Sequence, residues 1–149
     1  MREVYGDFWE YPADVRLITT NGFVKNNGEA VMGRGVALQA KTRYPKFPKN
    51  FGTLLREKGN HVMIITGATA PNHTLGTFPT KHNWFEKSDI ALIKRSAEEL
   101  RDIAMRNPST TYLVVRPGVG NGGLLYKDVK PVIEAILPDN VLVITNEKS

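Results

Sequence analysis

Two glycine-rich turns, far apart in the chain, restrict what this sequence can fold into more than any other feature. The first lies in Val31-Met32-Gly33-Arg34-Gly35-Val36-Ala37-Leu38-Gln39-Ala40-Lys41-Thr42-Arg43-Tyr44-Pro45. Gly33 and Gly35 let the backbone take a positive φ and approach another group closely. Apolar Val36, Ala37, Leu38 and Ala40 follow, with Lys41 and Arg43 outward and Pro45 ending the run, which predicts a short helix. A glycine loop running straight into a helix presents unpaired N–H groups and the positive end of the helix dipole, a setting that suits phosphate. A plain strand-to-helix turn uses the same residues. The second turn, Gly118-Val119-Gly120-Asn121-Gly122-Gly123, has four glycines in six residues, between an apolar strand and a helical segment. So much glycine adds no packing, and close approach of the backbone to a ligand explains it better than a hairpin turn. Successive N–H groups there can form an anion-binding concavity. Two such loops suit a diphosphate gripped from both sides. Neither continues into Gly-Lys-Ser/Thr and neither completes GxGxxG with an acidic partner, so those nucleotide loops are excluded.

Around these turns, strand-like and helix-like segments alternate. Glu3–Gly6, Val15–Thr20, Val62–Gly67, Thr74–Thr80, Tyr112–Val115 and Val141–Ile144 read as strands. Val62–Gly67 is continuously apolar, as expected of a strand covered on both faces. A helix is predicted around Phe51, Leu54 and Leu55, stopped by Gly59-Asn60. Ser88 is the expected N-cap of a long helix carrying Ile90, Ile93, Ala97, Leu100, Ile103 and Ala104 on one stripe. Asp128–Leu137 is the last helix, and Lys25–Glu29 reads as a mobile polar loop. This alternation predicts an α/β sandwich with a parallel or mixed sheet, whose ligands sit beyond the C-terminal strand ends. Asn21, both glycine turns and Lys81 follow strands and can converge at one rim.

At 149 residues the chain suits a single domain with its own core. It contains no cysteine, which rules out thiolate chemistry and disulfides. His61, His73 and His82 lack metal-ligand spacing with nearby carboxylates, so no catalytic metal is expected; no cofactor is expected either. Absence of a long apolar run predicts no membrane span, and a polar N-terminus predicts a cytoplasmic protein. The formal charge of +5 suits either a solvated surface or a polyanionic partner. Trp9 and Trp84 are expected in the core or on a cleft wall, where one can stack on a base.

Gly6-Asp7 after the first strand, Asn21 after the second, Val-Met-Gly-Arg-Gly-Val-Ala at 31–37, Phe-Pro-Thr-Lys-His-Asn-Trp at 78–84 and Gly-Val-Gly-Asn-Gly-Gly-Leu at 118–124 occur in that order. In this order the chain resembles the macrodomain family from Val4 to about Leu137. Within the family it is most similar to the DNA ADP-ribosyl glycohydrolase antitoxins, and more distantly to the glutamate-ADP-ribose hydrolases. The resemblance implies a single macrodomain over residues 1–149, a three-layer α/β/α fold with a central mixed sheet, and ADP-ribose in a cleft. Asp7 matches the acid that accepts from the adenine amino group, and Asn21 an asparagine near the distal ribose. Met32, Gly33, Arg34, Gly35 and Val36, with Gly118, Val119, Gly120, Asn121, Gly122 and Gly123, match the loops around the diphosphate. Lys81 matches the lysine used at the anomeric carbon. From the residues alone, Asp7 and Asn21-Gly22 serve equally as turn formers. Lys81, set between Phe78 and Trp84, is expected in an apolar setting that favours a nucleophilic or proton-transferring amine.

The implied activity is removal of ADP-ribose from a macromolecule, DNA being favoured, by a monomer with Lys81 and Asn21 as catalytic residues. Dephosphorylation of ADP-ribose 1″-phosphate and non-catalytic reading of ADP-ribose are the alternatives. Three departures stand out. Val24 occupies the place of the antitoxins' second asparagine, leaving Asn26 or Asn27 to substitute. Gly122 stands about where the glutamate-ADP-ribose hydrolases carry a catalytic acid. The antitoxins' further C-terminal region is not in this sequence, which lowers the expectation of a toxin-binding role.

Overall fold

The computed structural model describes residues 1–65 and 73–147. Strands β1 (Arg2–Tyr5), β2 (Val15–Thr20), β3 (Met63–Ile65), β4 (Thr74–Pro79), β5 (Tyr112–Val115) and β6 (Val141–Thr145) form one sheet in the order β1-β6-β5-β2-β4-β3. All neighbouring pairs are parallel except β3 with β4. Helices α1 (Gly35–Arg43), α2 (Phe47–Lys58), α3 (Ile90–Arg106) and α4 (Tyr126–Glu134) complete the described elements.

Alternation along the strands creates the layers. Ile18, Leu113, Leu142 and Ile144 point to a core shared with Ala40 of α1 and Phe47, Phe51 and Leu55 of α2. Their neighbours Leu17, Val114, Val141 and Val143 point the opposite way, to Ile93, Ala97 and Leu100 of α3 and Val129 and Ile133 of α4. Both sheet faces are therefore dry. This is the expected three-layer α/β/α arrangement with a mixed sheet.

Several local expectations are corrected. The third strand is not a strand covered on both faces but an antiparallel edge, with Met63 and Ile64 only half-buried. Thr66 and Gly67 lie outside the described residues. The last helix begins at Tyr126 and accommodates Pro131. Segment 25–29 is not free: Val24 bridges Ala30, and the hairpin between them is tied to α2. Lys49 Nζ donates to the Asn27 carbonyl at 2.7 Å, and Arg56 Nη2 to the Lys25 carbonyl at 2.9 Å. A methyl group on Gly52 would lie 2.0 Å from the Gly28 carbonyl oxygen, so only glycine permits this approach.

The cap of α3 is Asp89 rather than Ser88, its Oδ1 accepting from Ala91 N–H at 2.9 Å. Ile90 is consequently the first helical residue and exposed, while Leu92 joins the buried stripe. The His82 ring, 2.9 Å from Asp89 Oδ2, is the main cause holding the Asp89 carboxyl below its ordinary range, aided by backbone N–H groups. Such stabilisation is complete above the ordinary carboxylate range and is lost as pH falls through the depressed folded value. Asp89→Ala is therefore expected to cost about 1 kcal/mol at neutral pH in urea unfolding. Asp89→Asn should keep the cap and flatten the acid limb of the stability curve.

Candidate functional site

Because β1, β6, β5, β2 and β4 are parallel, their C-terminal ends open on one edge, roughly 19 Å long at about 4.8 Å per strand spacing. A cleft of about 770 Å³ runs along it. Gly6 and Asp7 follow β1, Asn146 and Glu147 follow β6, Arg116 and the second glycine turn follow β5, Asn21 follows β2, and Thr80 and Lys81 follow β4. The sheet order sorts charge along the cleft. Asp7 and Glu147 sit at the β1–β6 end, whereas Lys25 and Lys81 sit at the β2–β4 end.

The glycine turns meet. A methyl group on Gly35 would lie 3.5 Å from Asn121 Nδ2, so the start of α1 and the β5–α4 turn face each other across the cleft. Helix α1 starts with Arg34 as an extended N-cap that makes no side-chain capping bond, and no acid stands in its first turn. Gly35, Val36 and Ala37 at this helix start line the cleft, so its N-terminal donors and dipole are available to an anion. The glycines of the two turns differ in what requires them. Gly118 is filled by packing, since a methyl there would lie 2.6 Å from Ile93 Cδ1, and Gly122 likewise at 2.4 Å from Ser88 Oγ. Gly33 has open space around it and an unexceptional φ. Neither packing nor backbone conformation demands glycine at that position.

Both turn-forming and site-facing roles coexist at Asp7 and Asn21. Asp7 Oδ1 accepts from the N–H groups of Trp9 and Glu10 at 2.8 and 3.2 Å, leaving Oδ2 without a partner among the described residues. Asn21 Nδ2 donates to the Val31 carbonyl at 3.0 Å and its Oδ1 accepts from Phe23 N–H at 3.0 Å, which fixes the amide beside the cleft. Lys81 is half-buried and makes no ion pair among the described residues. Its backbone is clamped instead: Asn60 Nδ2 donates to its carbonyl at 3.0 Å, and Thr80 N–H donates to the Thr20 carbonyl at 2.9 Å.

Of the residues expected in the site, Asp7, Asn21, Gly33, Arg34, Gly35, Val36, Lys81, Gly118, Val119, Gly120, Asn121 and Gly122 line the cleft. Met32 does not, because its side chain is buried in the core beneath the loop, and Gly123 turns away toward Lys87. Neither Asn26 nor Asn27 reaches the cleft wall; Asn27 is bonded to Glu29, and Phe23 and Lys25 stand at the wall instead. Trp9 is buried, its Nε1 donating to Gln39 at 2.9 Å, whereas Trp84 is exposed on the rim. The histidines are dispersed: His61 pairs with Glu99, His82 with Asp89, and Nδ1 of His73 with the Tyr44 hydroxyl. Among the described residues no His, Cys, Asp or Glu cluster could hold a metal ion, and no helix is long and apolar enough to cross a membrane.

Sequence reasoning missed three contributors. Arg16 of β2 is buried and donates to the carbonyls of Phe8 and Ala13, each at 3.0 Å, and to those of Trp9 and Tyr11. It thereby casts the turn that presents Asp7; a lone charge inside an apolar strand was its only signal. Thr20 Oγ1 and Ser88 Oγ are buried on the cleft wall without a hydrogen-bond partner among the described residues. Unpaired buried hydroxyls are costly, and a ligand oxygen would satisfy them.

No family model matches the chain. It is 27% identical to the macrodomain of Thermus aquaticus DarG, with a TM-score of 0.76 over 99% of this chain and 97% of that one. The chain is a macrodomain. The macrodomain of Mycobacterium tuberculosis DarG superposes with a TM-score of 0.75 at 24% identity, over 97% of this chain and 98% of that one. Thermosipho africanus DarTG, solved in complex with ADP-ribose, superposes with a TM-score of 0.78 at 20% identity, covering 99% of this macrodomain and 43% of that chain. In sequence, the macrodomain is 34% identical over 110 residues, or 70% of its length, to the DNA ADP-ribosyl glycohydrolase of M. tuberculosis. It is 28% identical over 148 residues, or 92% of its length, to the protein of that name from T. aquaticus. It spans 31% and 38% of the lengths of these two curated relatives.

Proposed function

We propose that this macrodomain binds ADP-ribose along the rim and hydrolyses the bond between its outer ribose and an acceptor on DNA, with Lys81 as the catalytic residue. The observation that carries this reading is the meeting of two glycine cradles at an uncapped helix start, beside a clamped lysine. In this reading the free Oδ2 of Asp7 accepts from the adenine amino group at the β1 end. The diphosphate lies between Gly33–Val36 and Gly118–Gly122. The outer ribose reaches Asn21 and Lys81 at the β4 end. The hydroxyls of Thr20 and Ser88 supply further bonds along the wall.

The chemistry then falls to one amine. Through its nitrogen lone pair, Lys81 Nζ forms a bond to C1″ as the ring C1″–O4″ bond opens, and O4″ takes up a proton from the amine. The nitrogen lone pair expels the acceptor, which leaves with the remaining N–H proton, and an imine stands at C1″. Water hydrolyses the imine, freeing ADP-ribose and restoring Lys81. A lysine-only scheme is supported by the placement of acids: the cleft-lining carboxylates, Asp7 and Glu147, follow β1 and β6, on the far side of β5 and β2 from Lys81. The relatives named DNA ADP-ribosyl glycohydrolase and the +5 charge support DNA as the acceptor.

Incubation with ADP-ribosylated thymidine DNA, ADP-ribosylated protein and ADP-ribose 1″-phosphate tests the assignment. Release of ADP-ribose from the DNA is expected. Phosphate release alone would make the protein a phosphatase, and binding of ADP-ribose without any turnover would make it a reader.

A further inference from the structure

The β4 end of the cleft carries aromatic surface that the fold does not use. Trp84 and Phe85 follow Lys81 closely in sequence and are 52% and 66% exposed, and Phe23, on the adjoining loop, is 38% exposed. Trp84 and Phe85 pack edge-to-face, ring centres 5.6 Å apart, so each braces the other while leaving a face to solvent. The two loops are joined, Gly22 N–H donating to the His82 carbonyl at 3.0 Å. Phe23, Lys25, Lys81 and Trp84 all border the cleft. Lys25, Lys81 and Lys87 make no ion pair among the described residues. The acids close by are engaged by other side chains: Glu29 by Asn27, Glu86 by Asn83, and Asp89 by His82.

Exposed, mutually braced rings amid unpaired cations are the composition that holds single-stranded nucleic acid, through base stacking and phosphate contacts. We infer that Phe23, Trp84 and Phe85 form a ledge on which unpaired bases next to the modified nucleotide stack, so that the strand flanking the ADP-ribose determines how well a substrate is held. This rests on the proposed DNA-directed activity and adds to it the surface that holds the flanking strand, since a base stacked on Trp84 is free of its duplex neighbour. Lys25 and Lys87 would meet the phosphates of that strand.

Two measurements test the ledge and keep it separable from the hydrolase reading. In the first, hydrolysis of an ADP-ribosylated single-stranded oligonucleotide is compared with that of the ADP-ribosylated mononucleoside. Wild type should show a KM roughly tenfold lower for the oligonucleotide. Phe85→Ala should erase that difference, leaving ADP-ribose affinity and mononucleoside turnover unchanged, and Phe85→Tyr should restore it. Equal KM values in wild type, an equal loss on both substrates, or the same KM rise on an ADP-ribosylated peptide would overturn the ledge. The second needs no turnover. An unmodified single strand at low salt should quench tryptophan emission, an effect absent in Trp84→Ala, where buried Trp9 remains as an internal reference. Quenching without any hydrolysis would sink the hydrolase and leave the ledge standing, whereas hydrolysis without quenching does the reverse.

Discussion

Lys81→Ala is expected to lower release of ADP-ribose from modified DNA by at least roughly a thousandfold, the upper range for loss of a group that handles both bond and proton. The same variant should bind ADP-ribose within a few-fold of wild type, because the cradles proposed to hold the diphosphate are built elsewhere in the chain. Lys81 is half-buried, lies outside both core clusters and has its backbone tied to Asn60 and Thr20, so truncating its side chain should leave the fold in place. Lys81→Arg separates nucleophile from charge. It keeps a cation at the outer ribose, and if it retains activity the amine is an electrostatic aid rather than an attacking group. Borohydride added during turnover should leave a stable adduct on wild type and none on either variant, read by intact mass. Full activity in Lys81→Ala with unchanged ADP-ribose affinity would end the lysine mechanism.

Gly33→Val is expected to weaken ADP-ribose binding by at least about a hundredfold in calorimetry while leaving the thermal midpoint near that of wild type. A β-carbon on Gly33 meets no atom of the described residues within 4 Å, and its φ is one that any residue adopts, so neither packing at that atom nor the backbone opposes a side chain. The branched side chain would instead occupy the space between the two turns, where a diphosphate needs bare backbone. Gly118 and Gly122 make the opposite control. There a methyl group collides with Ile93 or Ser88, so alanine should lower stability before it touches binding. If Gly33→Val binds ADP-ribose as wild type does, the diphosphate does not lie between the loops.

Much of the architecture was legible because its signals are local. β2 and β5 were bounded by turn formers, and the alternation of Leu17 with Ile18 and of Leu142 with Val143 needed no distant partner to be read. The convergence of both glycine turns with Asn21 and Lys81 followed from strand direction alone. What escaped was set by contacts distant in sequence. Ser88 and Asp89 are equally good caps, and the choice between them falls to Gly122, beneath which Ser88 is buried. Segment 25–29 has the composition of a free loop, yet Lys49, Gly52 and Arg56 of α2 pin it. Arg16 announced nothing beyond its charge. Met32 and Gly123 belong to the stretches that resemble the family's diphosphate loops, but one side chain is committed to the core and the other position turns outward.

Strand β2 is held at both extremities. Near its start Arg16 grips four carbonyls of the turn bearing Asp7, and at its finish the Thr20 carbonyl takes the N–H of Thr80, next to Lys81. One short piece of extended chain thus ties together the turn at one end of the groove and the loop at the other, so a change that loosens β2 would disturb both ends at once.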